Sequence, residues 1–393
     1  MAAICKILKS AVLSSLLATV PAVTFAQHYQ QTNLVSNVPA EFPNPGNTPK
    51  VILDPALQNP WGLVAGPGGP FWDSNNAGGT STLDDGTGAL QSLNGGGQTF
   101  NGMPVPANGI LVPNAPSQPA PGSPTAVLFN GSATDFLIQG NPAIFIYVTE
   151  DGTISGWQPG ANFLSAIITV DNSQKPDAKN GAVYKGASIV EIRGKKFILA
   201  ANFRSGHVDV FDSSFHPVHI DDDAFDDDEM PKDFAPFNVQ AIGPNIYVTY
   251  AKQDAAKHDP VSGNGFGRVS IFNPEGKRIG RLEGGLFFNA PWGLALAPGT
   301  FGEFSHTLLV GNFRGGTILA FNPLTGKFIG QMKQLNSTQF VHIDGLWALL
   351  FGNDSNNALG ITLYFTAGPD HEKNGLLGTL TPDANEQGEN DEQ

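Results

Sequence analysis

The chain has almost no cysteine and few charged residues for its length. Cys5 is the only cysteine among 393 residues, which excludes a disulfide framework and a cysteine-based zinc site. Charged residues make up 14% of the chain, and the excess of acidic ones gives a formal net charge of −14 at pH 7. Because such a charge is repelled by nucleic acids and by anionic lipid, we expect neither as a partner.

Long apolar runs are missing as well. The short run at residues 11–20 is preceded by Lys6 and Lys9 and followed by the small-residue segment 24–26. That order is typical of a secretory signal, and the run is too short to span a bilayer. We therefore predict that residues 1–26 are a cleaved signal peptide. The mature protein is expected to be secreted or periplasmic, monomeric and without a membrane span.

The familiar catalytic motifs are also absent. The sequence contains no Gly-x-Ser-x-Gly elbow, no His-Glu-x-x-His pair and no phosphate-binding glycine loop. The glycines at 95–97 have no Lys-Ser or Lys-Thr after them, so they indicate a flexible loop. No reaction can be assigned from motifs alone.

One phrase that is present occurs twice. Asn-Phe-Arg, followed two positions later by Gly, begins at Asn202 and again at Asn312, and an alternating apolar pattern follows each copy. Internal repeats of this kind point to a propeller or a solenoid. The chain also contains 47 glycines and 30 prolines and no long segment of helical periodicity. Together these features predict an all-β chain with many turns.

The β runs group into six units. The innermost strand of each unit is predicted near Trp61, Thr125, Lys185, Phe237, Trp292 and Asp344. The later spacings, about 52 to 55 residues, are typical of four-stranded blades. We predict an all-β six-bladed β-propeller with four-stranded antiparallel blades over residues 59–381. Residues 27–58 form an N-terminal lead-in that could close the last blade, and residues 382–393 a disordered acidic tail.

Two resemblances support this architecture. The blade pattern resembles the NHL-type six-bladed propellers, which are related to gluconolactonases and calcium-dependent phosphotriesterases. Phrases at 58–64, 250–259, 290–295 and 363–370 resemble, over nearly the whole chain, an uncharacterised family of exported bacterial propeller proteins, some with PEP-CTERM sorting tails. This resemblance implies a fold and an exported location but no reaction. The chain lacks the membrane helix of such a tail, which implies release rather than anchoring.

Blade topology places one set of loops on a single face. The loop entering the innermost strand and the turn between the second and third strands open on the same side, where the resemblance implies that ligands bind. The candidate residues there are Asn59, Trp61, Asn202, Arg204, His258, Trp292, Asn312, Arg314, His342, Asp344, Asp370 and His371. Each has a structural alternative: the asparagines can cap turns, the arginines can bond backbone carbonyls, and the tryptophans can pack between blades.

One pair among these candidates breaks the repeat. Unit six has His342-Ile-Asp344 where unit five has Ala290-Pro-Trp292. Two residues apart on a strand, His342 and Asp344 point to the same side, so they could bind a metal or act as base and orienting acid. The acidic run 221–229 could bind calcium or form a solvated loop, and it does not have the glycine that an EF-hand requires.

Two functions follow. The first is a secreted binding or interaction scaffold for a small molecule, a glycan or a protein. The second, suggested by the resemblance, is a calcium-dependent hydrolase of the lactonase or phosphotriesterase type with its site at the channel mouth. In the second case Ca²⁺ would be held near the axis by Asp344 with Asn59, Asn202 and Asn312.

Overall fold

The computed structural model describes residues 28–383 except 117, 119, 120 and 222. The predicted signal peptide and residues 384–393 of the predicted tail lie outside the described residues. Nearly all regular elements are β-strands, and the main sheets form the six blades of a β-propeller. The predicted fold class is therefore confirmed, with four strands in most blades. No helix in the described part of the chain is long and apolar enough to cross a membrane.

Turn residues separate the strands throughout. The lead-in and blade 1 contain β1 (His28–Ser36), β2 (Ile52–Leu53), β3 (Pro60–Ala65), β4 (Phe71–Asn75), β5 (Thr80–Asp84), the hairpin β6 (Thr99–Phe100) and β7 (Met103–Pro104), and β8 (Gly109–Leu111). Blade 2 contains β9 (Pro124–Phe129), the hairpin β10 (Leu137–Ile138) and β11 (Asn141–Pro142), β12 (Phe145–Thr149), β13 (Thr153–Trp157) and β14 (Ile167–Asp171).

Blades 3 and 4 follow along the chain. They contain β15 (Tyr184–Ile192), β16 (Lys195–Asn202) and β17 (His207–Asp212), then β18 (Phe234–Ile242), β19 (Asn245–Lys252), β20 (Gly267–Phe272) and β21 (Arg278–Arg281). Blade 3 has only three strands. After β17 the described residues add only an isolated bridge, Phe211 to Pro217, so the four-stranded pattern predicted for every blade is not completed in this one.

The last two blades complete the ring. They contain β22 (Pro291–Leu296), β23 (Leu308–Asn312), β24 (Ile318–Phe321), β25 (Phe328–Gln331), β26 (Lys333–Gln334), β27 (Leu346–Phe351), β28 (Leu363–Ala367) and β29 (Leu376–Pro382). Short 3₁₀ turns lie at Pro39–Glu41, Pro45–Asn47 and Gly302–Phe304, and a single turn lies at Pro369–Glu372.

The N-terminal strand closes the ring. β1 pairs antiparallel with β29, with Thr32 opposite Thr379, and so supplies the outer strand of blade 6. β2 then adds to β1 in parallel. One sheet therefore joins the two ends of the described chain, and opening the ring would break a ladder of backbone hydrogen bonds.

Strand pairing fixes which residues are equivalent at the axis. Pro60 pairs with Asn75 and Pro291 with Asn312, and Leu346 pairs with Ala367 in the same way. The residues that follow are Trp61, Trp292 and Trp347. The prediction that Asp344 matches Trp292 is therefore wrong by three residues. Loop lengths differ between blades, so residue spacing alone could not fix this register.

Candidate functional site

Aromatic rings close the centre of the propeller. We call this group the aromatic floor; its members are Trp61, Phe203, Phe237, Trp292, Phe313 and Trp347, and all are buried. Trp61 stacks on Trp347 with ring centroids 3.5 Å apart, and Phe313 stacks on Trp347 at 3.7 Å. The innermost strands and the turns after second strands supply these rings, so the floor follows directly from the blade repeat.

Lys185 takes the place of an aromatic ring in blade 3. Its neighbour Tyr184 pairs with Asn202 as Pro291 pairs with Asn312, which puts Lys185 at the position of Trp292. Its side chain is completely buried, and its Nζ lies 5.2 Å from the centre of the Trp61 ring. A buried ammonium needs a counter-charge.

Two carboxylates supply that counter-charge. Lys185 Nζ forms an ion pair with Glu150 and another, of 3.1 Å, with Asp259 Oδ1. Burial alone would lower the pKa of Lys185, but the charges of Glu150 and Asp259 outweigh it and raise the pKa above its ordinary value. Lys185 therefore stays protonated beneath the mouth of the channel.

Side chains from several blades continue this network above the floor. Asn76 Nδ2 donates to Glu150 Oε2 at 2.8 Å, and Asn59 Nδ2 donates to Asn76 Oδ1 at 3.3 Å and to Glu372 Oε2 at 3.2 Å. Arg314 lies 3.7 Å from Glu372 and covers the Phe313 ring. We call these residues, with Lys185, Asp259 and His258, the polar ring.

A histidine completes the polar ring on the blade 4 side. His258 Nδ1 lies 3.0 Å from Asp259 Oδ1, and both residues belong to the long loop between β19 and β20. The hydrogen bond from His258 and the charge of Lys185 together hold the pKa of Asp259 far below its usual range, against the opposing effect of burial. Asp259 is thus a carboxylate at any ordinary pH.

The turn after β28 is strained. Asp370, His371 and Glu372 have φ values of 53°, 56° and 68°, so three successive non-glycine residues are left-handed. Each costs about 1 to 2 kcal/mol relative to right-handed backbone, and such strain clusters at functional sites. The Asp370 amide donates to Asp344 Oδ2 at 2.9 Å, which helps to hold the turn. Burial raises the pKa of Glu372, whose carboxyl points to Asn59 and Arg314.

A cavity opens beside this turn. Its volume is about 450 Å³, large enough for a small molecule. It is lined by Pro260, Ser262, Phe313, Arg314, Asp344, Gly345, Gly368, His371 and Glu372. Gly368 has no room for a side chain, since a Cβ there would lie 1.9 Å from Asn59 Oδ1. Cavity and polar ring together form what we call the channel mouth.

The structure brings only half of the twelve predicted site residues together. Six of them lie at the channel mouth: Asn59, His258, Arg314, Asp344, Asp370 and His371. Trp61 and Trp292 lie in the buried floor instead. Asn202 Oδ1 accepts the amides of Val183 and of Ser205 in its own turn, so it caps that turn as its structural alternative required. Asn312 Oδ1 accepts the Asn289 amide, so it ties its turn to the loop that enters the innermost strand.

The two copies of the repeated phrase differ at their arginine. Arg204 donates to the Gly181 carbonyl at 3.0 Å, which fixes a loop, whereas Arg314 lines the cavity. His342 and Asp344 do not form the expected pair. His342 Nδ1 lies 3.2 Å from the Gly315 carbonyl, while Asp344 holds the Asp370 amide. They face different partners because both precede strand β27 instead of lying on it.

The acidic run after blade 3 has a structural role at one position. Asp227 is buried, and Arg281 Nε donates to its Oδ2 at 2.6 Å. Ser270 Oγ donates to the same oxygen at 2.6 Å. Arg281 thus neutralises Asp227, which corrects the expectation of a simply solvated loop.

Sequence reasoning missed the charged centre of the mouth. Its members Asn76, Glu150, Lys185, Asp259 and Glu372 were not among the candidates. Lys185 carried a usable signal: it is a lysine at a position that is aromatic in four other blades. Glu150 and Glu372 gave no signal, because only the folded ring brings their turns together.

The sequence is similar to uncharacterized viral proteins. No family model matches the chain. Uncharacterized protein R640 of Acanthamoeba polyphaga mimivirus is 30% identical over 271 residues, which are 67% of this chain and 48% of R640, so the chain spans about half the length of that relative. Uncharacterized protein L690 of the same virus is 27% identical over 342 residues, 84% of this chain and 82% of L690. These relatives lend no support to the expected family of exported bacterial proteins.

Solved structures show the same architecture at low identity. A structural genomics protein of unknown function from Bacteroides thetaiotaomicron VPI-5482 matches with a TM-score of 0.52 and 9% identity, over 90% of this chain and 76% of that one. A glucose dehydrogenase matches with a TM-score of 0.50 and 12% identity, over 84% of this chain and 98% of that one. At these identities the likeness concerns the fold alone.

Proposed function

We propose that the protein is a binding module whose channel mouth takes a small polar ligand. The observation that carries this proposal is the polar ring set over a closed aromatic floor. Carboxylates outnumber cations at the mouth: Glu150, Asp259, Asp344 and Glu372 lie there with Lys185 and Arg314, while the nearby Asp370 pairs with Lys373. A ligand with amino or several hydroxyl groups would complement this excess, with Asn59 and Asn76 as further partners.

The aromatic floor supports binding rather than passage. Because the rings of the floor pack against each other, a ligand would enter and leave by the same opening. The strained turn at Asp370 to Glu372 fixes one wall of the cavity before any ligand arrives. A site that is already held in place loses less conformational entropy when a ligand binds. The fixed turn would therefore increase the affinity for that ligand.

A ligand screen tests this proposal. Purified protein in EDTA would be screened by thermal shift against amines, amino sugars and polyols, and hits measured by calorimetry. For a true mouth ligand, Glu372→Gln should weaken binding about tenfold or more, as expected for the loss of a partly buried charged partner. Glu191→Gln, at an exposed strand position, is the matched control and should change nothing. Equal affinity in Glu372→Gln and wild type would place the ligand elsewhere, and a panel without a hit would count against a small polar ligand.

A hydrolase of the lactonase or phosphotriesterase type is the second candidate, favoured by one contact. A partly exposed histidine oriented by a carboxylate, as His258 is by Asp259, is the arrangement of a general base. Two of the asparagines expected to hold calcium are committed elsewhere, since Asn202 and Asn312 accept backbone amides of the loops that enter the innermost strands. Lactone and phosphotriester substrates, assayed with Ca²⁺ and with EDTA, test this candidate. Turnover lost in His258→Ala would support it, and no turnover in either condition would reject it.

A further inference from the structure

We propose that Glu150, His258 and Asp259 bind a first-row divalent metal ion such as Zn²⁺ at the rim of the channel mouth. In the part of the chain that the structure describes, this is the only group of three His, Cys, Asp or Glu side chains whose ligand atoms all lie within 4.8 Å of one another. The metal site shares the mouth with the proposed ligand site, but it does not require that ligand.

The geometry of the three ligand atoms suits a small metal ion. Zinc binds histidine nitrogen and carboxylate oxygen at about 2.0 to 2.2 Å, so two ligands of one ion lie no more than about 4.4 Å apart. The ligand atoms of Glu150, His258 and Asp259 lie within 4.8 Å of one another. Small side-chain rotations that move these atoms by a few tenths of an ångström would bring them close enough to share one ion. One nitrogen and two oxygens make three protein ligands, which leaves a fourth position open, as in catalytic zinc sites.

The types of ligand favour a transition metal over calcium. Calcium and magnesium prefer a shell of oxygen atoms, and calcium needs six to eight of them. An imidazole nitrogen is a good ligand for zinc, copper, iron and nickel. The site is also accessible, since the His258 side chain is 39% exposed and that of Asp259 57% exposed.

Neighbouring groups hold the ligands in place. Asn76 Nδ2 donates to Glu150 Oε2 at 2.8 Å, while two of the proposed ligands, His258 Nδ1 and Asp259 Oδ1, already lie 3.0 Å apart. Such supporting contacts orient metal ligands and are part of real metal sites. The trio also joins blade 2, through Glu150, to the long loop of blade 4. A bound ion would therefore fix that loop across the mouth.

Lys185 sets the expected affinity. Its ammonium pairs with both Glu150 and Asp259 and balances one of their two negative charges in the absence of metal. Each carboxylate has a second oxygen, so the lysine and a metal can be bound together, at the cost of repulsion between two cations. We therefore expect moderate affinity, with a dissociation constant in the micromolar range.

The experiment uses protein stripped with EDTA and then dialysed. Calorimetric titration with ZnCl₂ should show one site, and His258→Ala should weaken it at least tenfold. His306→Ala, at an exposed position outside the mouth, is the control and should bind as wild type does. Co²⁺ gives a second readout: its visible absorption on binding should disappear in His258→Ala while circular dichroism shows that the variant is folded.

Two results would overturn the proposal. One is the absence of zinc or cobalt binding to wild type at millimolar metal. The other is binding of equal strength in wild type and in the Glu150→Gln, Asp259→Asn double variant. Because the ligand screen is run in EDTA, failure of the metal site would leave the proposed binding function standing, and a failed screen would leave the metal result standing.

Discussion

Two groups of carboxyls in this propeller obtain their counter-charge in different ways. At the channel mouth, Glu150 and Asp259 share the ammonium of Lys185. On blade 1, Asp73 and Asp84 are each 1% exposed, and no Lys, Arg or His of the described residues forms an ion pair with either. The first group has Lys185 as its counter-charge, whereas the second group must take up protons from solvent.

The second group lies on the blade 1 face that packs against blade 6. Asp84 pairs with Phe71 across the β4–β5 ladder, and the Phe71 ring contacts Tyr364 of blade 6 at 4.5 Å. Asp73 Oδ1 accepts three hydrogen bonds, two from Thr82 and one from Asn75. Neither oxygen of Asp84 has a donor among the described residues.

A shared proton allows the two buried carboxyls, Asp73 and Asp84, to lie side by side. Burial raises the pKa of Asp73 to about 7, and burial with the charge of Asp73 raises that of Asp84 well above its ordinary value. A protonated Asp84 can donate to Asp73, as two close carboxyls do when they share one proton. The neighbours Asp54 and Asp85 add negative charge, and Tyr147, which faces Asp73, adds none, because burial keeps its hydroxyl protonated. The charge of Glu150 and Asp259 is thus partly balanced by a lysine that the sequence supplies, whereas the blade 1 pair depends on a proton and therefore on pH.

The largest effect is expected at the mouth. Lys185→Met leaves Glu150 and Asp259 without their cation and should lower the free energy of unfolding by about 3 kcal/mol, the lower end for breaking a buried pair, because Asp259 is partly exposed. Chemical denaturation at pH 7 measures this. Lys327→Met, whose side chain is 72% exposed, is the control and should cost under about 0.5 kcal/mol.

A double variant separates charge from packing. Adding Glu150→Gln to Lys185→Met removes the carboxylate closest to the missing ammonium and should restore about half of the loss if charge is the cause. A loss below about 1 kcal/mol in Lys185→Met alone would contradict the importance of this ion pair.

The fold could be predicted from the sequence, whereas the charged residues at the centre of the mouth could not. Repeated phrases, turn residues and blade spacing predicted six blades, and five of the six axial positions were placed correctly, Lys185 among them. Asp344 was wrongly assigned to the axial position of blade 6, because residue spacing does not account for differences in loop length between blades. Trp347, three residues further on, carries the repeat.

Side-chain networks were the part that could not be read from the chain. The hydrogen bond from Asn59 to Glu372 joins residues 313 positions apart, and only ring closure brings them together. Asp73 and Asp84 gave no signal either, since an acid in a strand pattern usually faces solvent. Left-handed backbone at Asp370 to Glu372 was equally hidden, because none of these residues is a glycine.

The next effect concerns pH. Asp73 and Asp84 have raised pKa values in the folded state, so the folded protein binds more protons than the unfolded chain between about pH 4 and 7. Stability from this pair is therefore full at low pH and is lost as pH rises through about 7. Asp84→Asn replaces the shared proton by a permanent donor and should be about 1 to 2 kcal/mol more stable than wild type at pH 8, with little difference at pH 5.

Denaturation curves of both proteins at pH 5 and pH 8 measure this difference. Asp228→Asn is the matched control, because the Asp228 side chain is 88% exposed, and it should follow wild type at both values. If Asp84→Asn were destabilising at pH 8, Asp84 would be ionised there, and some other positive group would have to neutralise it.

The smallest effect tests how far the mouth depends on charges near solvent. Arg314 and Glu372 are each 30% exposed and 3.7 Å apart, so Arg314→Gln should cost under about 1 kcal/mol of stability. Raising the salt concentration should reduce even this difference, since partly exposed pairs are screened. The same salt should leave the cost of Lys185→Met nearly unchanged, because that ammonium is completely buried. If salt reduced the stability cost of both variants equally, solvent would reach Lys185. The centre of the mouth would then be no more closed to solvent than its rim.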